Sequence, residues 1–192
     1  MDGAILTRAT LSGTDLSGAN LSGAKLSGPG VKLNEAHLHG ADMREADLSG
    51  VNLQGANLDG AILTRATLSA ANLTDATMRD ATMRDATMKK ADLFRAMLDG
   101  ADMSRANLTR ANLTDATMRD ATLSEADVRG SKLPGADMSG AILTGADMGG
   151  AKKVQQEQID ASYTNKKTKL PTHLQGNREI KLVVPAASAG PK

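Results

Sequence analysis

Apolar residues recur with a period of five along most of the chain. Residues 31–150 divide into 24 quintets, and the third residue of each is Leu, Met or Val. The first residue is Ala except at Val31, Val51 and Ser131, and the other three positions are mostly polar. A period of five fits neither an α-helix nor a regular β-strand. The pattern therefore predicts a chain that takes a short extended step, turns, and buries the first and third residues of each quintet.

Five further quintets occupy residues 4–28, and two extra residues, Pro29 and Gly30, separate them from the longer block. Repeated turns of this kind predict a solenoid in which successive coils pair as β-ladders about 4.8 Å apart. We expect Pro29–Gly30 to form a bulge at a coil corner, because a bulge absorbs extra residues while the register on either side is kept.

Quintets such as ANLTD at 71–75 resemble the A-(D/N)-L-X-X repeat of the pentapeptide repeat family, and the resemblance covers about residues 4–150. It implies an all-β solenoid, the right-handed quadrilateral β-helix, with four quintets or about twenty residues per coil and about seven coils in all. The segment TKLP at 168–171 resembles the end of bacterial members of the family, particularly cyanobacterial ones.

The charged residues support a coil of about twenty residues independently of the resemblance. Residues one coil apart lie side by side, where opposite charges stabilise and like charges destabilise. At a spacing of fifteen, Lys90 would lie against Arg105. At a spacing of twenty, the signs alternate in three columns of residues: Glu45, Arg65, Asp85, Arg105 and Glu125; Asp59, Arg79, Asp99 and Arg119; Asp75, Arg95 and Asp115.

The two ends of the solenoid are predicted to differ. After Gly150 the repeat fails at Lys153, and KKVQQEQIDASY predicts a short helix that covers the last coil. We therefore divide the chain into a β-helix at 4–150, a C-terminal helical cap at 151–170 and an extended or disordered tail at 171–192, in which residues 178–184 could add an edge strand. The repeat begins by residue 4, so the open N-terminal edge meets a partner, forms a homodimer or is trimmed.

Composition limits both the core and the chemistry. The chain has one Phe, one Tyr, no Trp and no Cys, so the core must be built from Leu, Met and Ala, and thiolate chemistry is excluded. Residues 1–150 carry 15 Lys+Arg and 19 Asp+Glu, a net charge of −4, and residues 151–192 carry 8 and 3, a net charge of +5. With neither a signal peptide pattern nor an apolar run near about 18 residues, we predict a cytoplasmic protein without membrane association.

Candidate sites are few, and none predicts catalysis, a cofactor or a metal. His37 and His39 flank Leu38 and point outward together, but no third ligand has a suitable spacing. Two groups predict contact with a protein. Phe94 and Met97 are outward apolar residues close along the chain. A basic group lies on one side of the solenoid, and its like charges favour an acidic partner. The basic group consists of Lys89, Lys90, Arg110 and Arg129.

Two functions are weighed. A rigid surface of mixed charge favours a non-catalytic protein-interaction scaffold or regulator with a protein partner, without a small-molecule substrate or direct nucleic-acid binding. The alternative comes from the resemblance, because some family members mimic DNA, bind gyrase or topoisomerase IV and protect them from quinolones. Mimicry needs a dense negative surface, whereas the columns of this chain alternate in sign. The scaffold is therefore the first hypothesis.

Overall fold

In the computed structural model, residues 2–28 and 30–175 are described. Single parallel bridges join the second residues of quintets in neighbouring coils, as Lys32 joins Asn52 and His37 joins Asn57, so four quintets complete one coil. We number the four faces of the coil by the quintets of one coil: residues 31–35 belong to face 1, 36–40 to face 2, 41–45 to face 3 and 46–50 to face 4. Every later coil adds one quintet to each face. The predicted twenty-residue register is confirmed.

Backbone hydrogen bonds link each quintet to the coils before and after it. The second residue donates its N–H to the first residue of the previous coil, as Ile62 does to Ala41 at 2.9 Å. The third residue donates to the second residue of the following coil, as Met43 does to Ile62 at 2.7 Å. The fifth residue donates to the fourth residue of the following coil, as Arg65 does to Arg84 at 2.9 Å. The solenoid is thus held by a ladder that runs parallel to its axis.

Each corner of a coil is a four-residue turn that ends a quintet. The N–H of Ala46 donates back to the carbonyl of Met43 at 3.2 Å and closes such a turn. Its third residue, Glu45, has a φ of 58°, as a type II turn requires. The left-handed conformation costs a non-glycine residue about 1–2 kcal/mol. Even so, charged residues such as Arg65 and Asp85 occupy this fifth position as well as glycine.

Substitution at one pair of corners tests this strain. Gly50 and Ala70 are fifth residues in neighbouring coils of face 4, with φ of 68° and 56°. We expect Ala70→Gly to stabilise the protein by about 0.5–1 kcal/mol, because relief of strain exceeds the entropy that glycine adds to the unfolded chain. Gly50→Ala should destabilise it by a similar amount, although an added Cβ would have no atom within 4 Å. Urea denaturation of both variants checks the opposite signs, and a shift in the same direction would contradict them.

The core is built from two stacked columns of buried side chains on each face, which follow the axis. First-position Ala and third-position Leu or Met are fully buried through the middle coils, as Leu73, Met78 and Ala81 illustrate. The first coil is less buried, because Leu6, Leu11 and Leu16 are only partly covered. Since each coil stacks on the next, it depends on its two neighbours for burial.

The register survives the two extra residues near the N-terminus. Ile5 pairs with Lys25, exactly four quintets further on, whereas Thr10 pairs with Lys32 and so skips the two inserted residues. The four-quintet spacing returns from Lys32 onward. The register therefore changes between Gly28 and Val31. The bulge at Pro29–Gly30 stays a prediction, because Pro29 lies outside the described residues.

The C-terminal segment extends the ladder and contains the helices of the described residues. Helix α1 spans Gln156–Asp160, a shorter helix than the sequence predicts, and a 3₁₀ helix spans Thr172–Leu174. Residues 171–175 therefore differ from the predicted tail, because Leu174 is buried. The predicted strand at 178–184 and the tail beyond it lie outside the described residues. No helix within residues 2–28 and 30–175 is long and apolar enough to cross a membrane.

Candidate protein-interaction surface

Opposite charges in the predicted columns meet across neighbouring coils. Arg65 lies 3.2 Å from Glu45 and Arg105 lies 2.7 Å from Asp85, both on face 3. Each pair is exposed to solvent, which screens the attraction, so it contributes little to stability. Their consequence is local neutrality along this column of face 3.

One column departs from the simple alternation. The backbone N–H of Arg119 donates to Asp99 at 2.9 Å, but its guanidinium turns to Asp137 at 2.7 Å, in the following coil. Hydrogen bonds from Ser139 and then from Arg119 lower the pKa of Asp137 to about 2. Asp137 therefore stays ionised well below neutral pH, and the cation on face 2 remains neutralised.

The predicted basic group lies on face 4, as the register requires. Thr87, Asn107 and Asp127 are bridged in sequence, which stacks the quintets 86–90, 106–110 and 126–130. Arg129 is neutralised by Asp127, with its Nη2 2.6 Å from a carboxylate oxygen. The hydrogen bond from Arg129 holds the pKa of Asp127 below its ordinary value.

Lys89, Lys90 and Arg110 form the remainder of that group, and Lys89 is an exposed fourth residue of face 4. Lys90 and Arg110 are neighbours. The N–H of Lys90 donates to Thr109 at 3.0 Å, so Lys90 and Arg110 are fifth residues of adjacent coils. Among the described residues, neither side chain forms an ion pair. A surface depression of about 440 Å³ lies beside them, lined by Thr109, Arg110, Arg129 and Gly130. The site thus combines uncompensated positive charge with a shallow recess.

The two predicted apolar contacts lie on different faces. Phe94 is half-buried on face 1, and the guanidinium of Arg95 lies 5.2 Å from its ring centroid. Met97 is 36% exposed on face 2, and its sulfur lies 2.8 Å from Nη2 of Arg79. The corner formed by Arg95 lies between them along the chain. Phe94 and Met97 are thus both partly covered by cations and do not share one face.

The histidine pair shows no metal-binding arrangement. His37 is bridged to Asp15 and Asn57 on face 2, and His39 lies two residues further along the same face. Within residues 2–28 and 30–175, no group of three His, Cys, Asp or Glu side chains could hold a metal ion.

A second pair of like charges was missed by sequence reasoning. Lys132 and Lys152 are directly bridged on face 1, and they follow the corner at which Lys90 and Arg110 lie. Neither lysine forms an ion pair with another described residue. The same spacing of twenty, applied to second positions as well as to fourth and fifth positions, would have revealed the pair.

Comparison with known proteins identifies the repeat. Residues 1–28, 30–65, 61–96, 88–124 and 121–152 match the family model described as pentapeptide repeats, in 8 copies. The chain is a pentapeptide repeat protein. Its coil is therefore the right-handed β-helix of that family. No curated protein matches the chain.

Solved structures of other pentapeptide repeat proteins resemble this one. HetL, involved in heterocyst differentiation regulation in the cyanobacterium Nostoc, is 29% identical, with 88% of this chain and 84% of HetL covered and a TM-score of 0.37. Rfr23 from the cyanobacterium Cyanothece is 26% identical, with 67% and 63% covered and a TM-score of 0.34. QnrB1, a plasmid-mediated fluoroquinolone resistance protein, is 19% identical, with 90% and 86% covered and a TM-score of 0.42. The family assignment rests on the repeat match.

Proposed function

We propose that this pentapeptide repeat protein is a non-catalytic, cytoplasmic scaffold or regulator that binds another protein. The observation that carries the proposal is the fixed register of four quintets per coil, which displays outward side chains in straight columns on four faces. A rigid surface of this kind loses little conformational entropy when a partner binds. Columns of outward side chains around a filled core form a broad surface. Such a surface favours contact with a protein rather than enclosure of a small substrate.

Photo-crosslinking from each face tests this function. A photoreactive residue is placed at Phe94, Met97, Thr64 or Thr109, which lie on faces 1, 2, 3 and 4 in turn. In the native host, we expect one protein to be crosslinked from one face or from two adjacent faces. That crosslinked partner, once identified and purified, should then bind the purified pentapeptide repeat protein. Equal, weak crosslinking of many proteins from all four faces would contradict a specific scaffold.

The DNA-mimic alternative leads to a distinct expectation for gyrase. We expect no protection of DNA gyrase against a quinolone in a supercoiling assay. A groove that receives DNA is built for uninterrupted negative charge, whereas Arg65, Arg79 and Arg105 lie among the carboxylates of faces 2 and 3. These cations would meet a basic surface, with a penalty that is larger at low salt.

The gyrase assay also needs a control variant from which the cations of face 3 are removed. Arg65→Gln/Arg105→Gln places neutral side chains between Glu45, Asp85 and Glu125, so this column of face 3 then carries negative charge alone. Comparison with this variant shows whether the cations oppose binding. If the unmodified protein restored supercoiling in the presence of the quinolone, the DNA-mimic function would be favoured over the scaffold.

We also propose that the chain completes about seven coils and that residues 151–175 cap the last of them. Gln158 of helix α1 donates to the carbonyls of Leu133 and Ala136 at 2.9 and 2.7 Å. Ile159 and Leu174 are buried against the end of the core. The cap thus covers both the polar backbone and the apolar side chains of the last coil, which an open solenoid would leave exposed.

A further inference from the structure

Most charged columns avoid contact between like charges. Arg79 lies 3.4 Å from Asp59, and Arg95 lies 2.5 Å from Asp75, each one coil away. Where two carboxylates are neighbours, as Asp127 and Asp147 are on face 4, each has its own cation, Arg129 or Lys169. The two acidic neighbours are therefore neutralised individually, even though they share a sign.

The corner from face 4 to face 1 departs from this rule over four consecutive coils. It carries one cation without an ion pair in each coil, and we call this set the basic edge: Lys90, Arg110, Lys132 and Lys152. The same columns hold one carboxylate, Asp92, which accepts a hydrogen bond from Asn112 at 2.8 Å. Lys90 adjoins Arg110, and Lys132 is bridged to Lys152, so like charges are neighbours twice. Like charges placed side by side destabilise a sheet. The uncompensated charge of the basic edge thus costs stability in the free protein.

The recess beside Arg110 gives the basic edge a shape as well as a charge. The column continues from Lys90 and Arg110 to Gly130, which has no side chain to fill the next step. A Cβ at Gly130 would lie 3.5 Å from Cγ of Arg110. The glycine therefore leaves open the depression of about 440 Å³ that Thr109 and Arg129 complete. A partner side chain can enter there and meet the guanidinium of Arg110.

The spacing of the cations selects among acidic partners. Successive cations are one coil apart, about 4.8 Å along the axis. Carboxylates on one face of an α-helix recur about every 5.4 Å, so three intervals accumulate a mismatch of about 2 Å, which lysine and arginine side chains can absorb. Carboxylates on one side of an extended strand recur about every 6.6 Å, and the same three intervals accumulate about 5 Å. The basic edge therefore fits an acidic helix better than an acidic strand.

We propose that the basic edge binds an acidic α-helix of the partner protein, with carboxylates on one helix face opposite Lys90, Arg110, Lys132 and Lys152. The proposal rests on the scaffold function and names the partner's contact chemistry. Because Lys132 and Lys152 lie two residues beyond the corner that Lys90 and Arg110 occupy, the helix crosses the coils obliquely. Binding neutralises the repulsion between neighbouring cations, so stability lost in the free protein is regained in the complex.

A labelled peptide probe tests the proposal on the full chain. The probe is an alanine-rich peptide of about 20 residues with glutamates on one helix face. Its companion has the same composition with the glutamates spread around the helix, and a single-stranded oligonucleotide of equal charge represents nucleic acid. We expect fluorescence anisotropy to show the tightest binding for the one-faced peptide, with affinity that falls as salt rises.

Matched variants locate the site. Lys90→Gln/Arg110→Gln and Lys132→Gln remove cations from the basic edge, and Lys32→Gln removes one from the same position of face 1, five coils from Lys132. We expect the double variant to bind at least about tenfold more weakly, Lys132→Gln to bind detectably more weakly, and Lys32→Gln to bind as the unmodified protein does. The urea midpoint of the double variant should stay equal or rise, because repulsion is removed.

Several outcomes would overturn the proposal. These are equal affinity in the double variant, equal affinity for the two peptides, or tighter binding of the oligonucleotide. Absence of peptide binding would overturn only the proposal that the basic edge binds an acidic helix. Crosslinking of a partner from another face would still support the scaffold function. Failure of crosslinking from all faces, together with tight and edge-dependent peptide binding, would instead overturn the scaffold function as stated and keep the charge preference.

Discussion

Replacing Leu73 with alanine is expected to lower the free energy of unfolding by about 3 kcal/mol. Leu73 is fully buried in the third-position column of face 1, where it packs between the coils before and after it. Truncation removes apolar surface from the core and leaves a cavity, and the ladder on both sides prevents the backbone from collapsing into it. Urea denaturation followed by far-UV circular dichroism measures the loss.

Two control variants separate burial from position in the repeat. Leu11 is also a third residue of face 1, but in the first coil it is only partly buried. Leu11→Ala should therefore cost about half as much or less. Thr74→Ala, which changes the next residue at a partly exposed position, should shift stability by no more than about 0.5 kcal/mol. Equal losses at Leu11 and Leu73 would contradict a core whose burial increases from the first coil inward.

The register was predictable because both the apolar and the charged positions report it. The third-position Leu and Met residues define the quintet, and the alternation of Glu45, Arg65 and Asp85 defines how many quintets complete a coil. Electrostatic preference across a ladder is weak for each pair, but it has the same sign along a whole column. The structure places Arg65 beside Glu45, as that alternation predicts.

The choice of individual partners could not be predicted from spacing. Arg119 has a carboxylate in the coil on each side, Asp99 and Asp137, and its guanidinium pairs with Asp137 while its backbone binds Asp99. A flexible side chain with two acceptors within reach is placed by its rotamer, which the repeat does not encode. For the same reason, the position of Arg95 over the ring of Phe94 could not be predicted.

The homodimer through the N-terminal edge stays a prediction.

The C-terminal end of helix α1 could not be predicted from the sequence either. The pattern of KKVQQEQIDASY is compatible with a longer helix, yet the helix is limited to Gln156–Asp160. Tyr163 instead takes a place in the ladder opposite Ile142, and Lys169 takes one opposite Asp147. Unpaired groups on the last coil accept these pairings, so tertiary contacts override the local helical preference.

Deletion of residues 151–192 is expected to convert the protein into soluble oligomers or aggregates. The deletion would leave several amides of the last coil unpaired, because Leu143 now donates to Tyr163 at 2.7 Å and Met148 to Lys169 at 2.8 Å. If residues 151–175 form the proposed cap, the deletion would also expose apolar side chains of the last coil. An exposed ladder edge over an apolar core is a template for pairing with another chain. Size-exclusion chromatography with light scattering, relative to the full chain, measures the change in mass.

A second deletion distinguishes the cap from the remainder of the C-terminal segment. Removal of residues 176–192 alone keeps α1, Tyr163, Lys169 and Leu174 in place, so it should leave the mass and the urea midpoint near those of the full chain. Ile159→Asp provides an intermediate case, since it sets a charge at a position only 6% exposed, and its unpaired carboxylate should loosen the cap without deleting it. If the longer deletion stays as monodisperse as the full chain, the last coil needs no cover. Residues 151–175 would then be an extension of the ladder with no protective role, and the open edge itself would become the surface to probe for a partner.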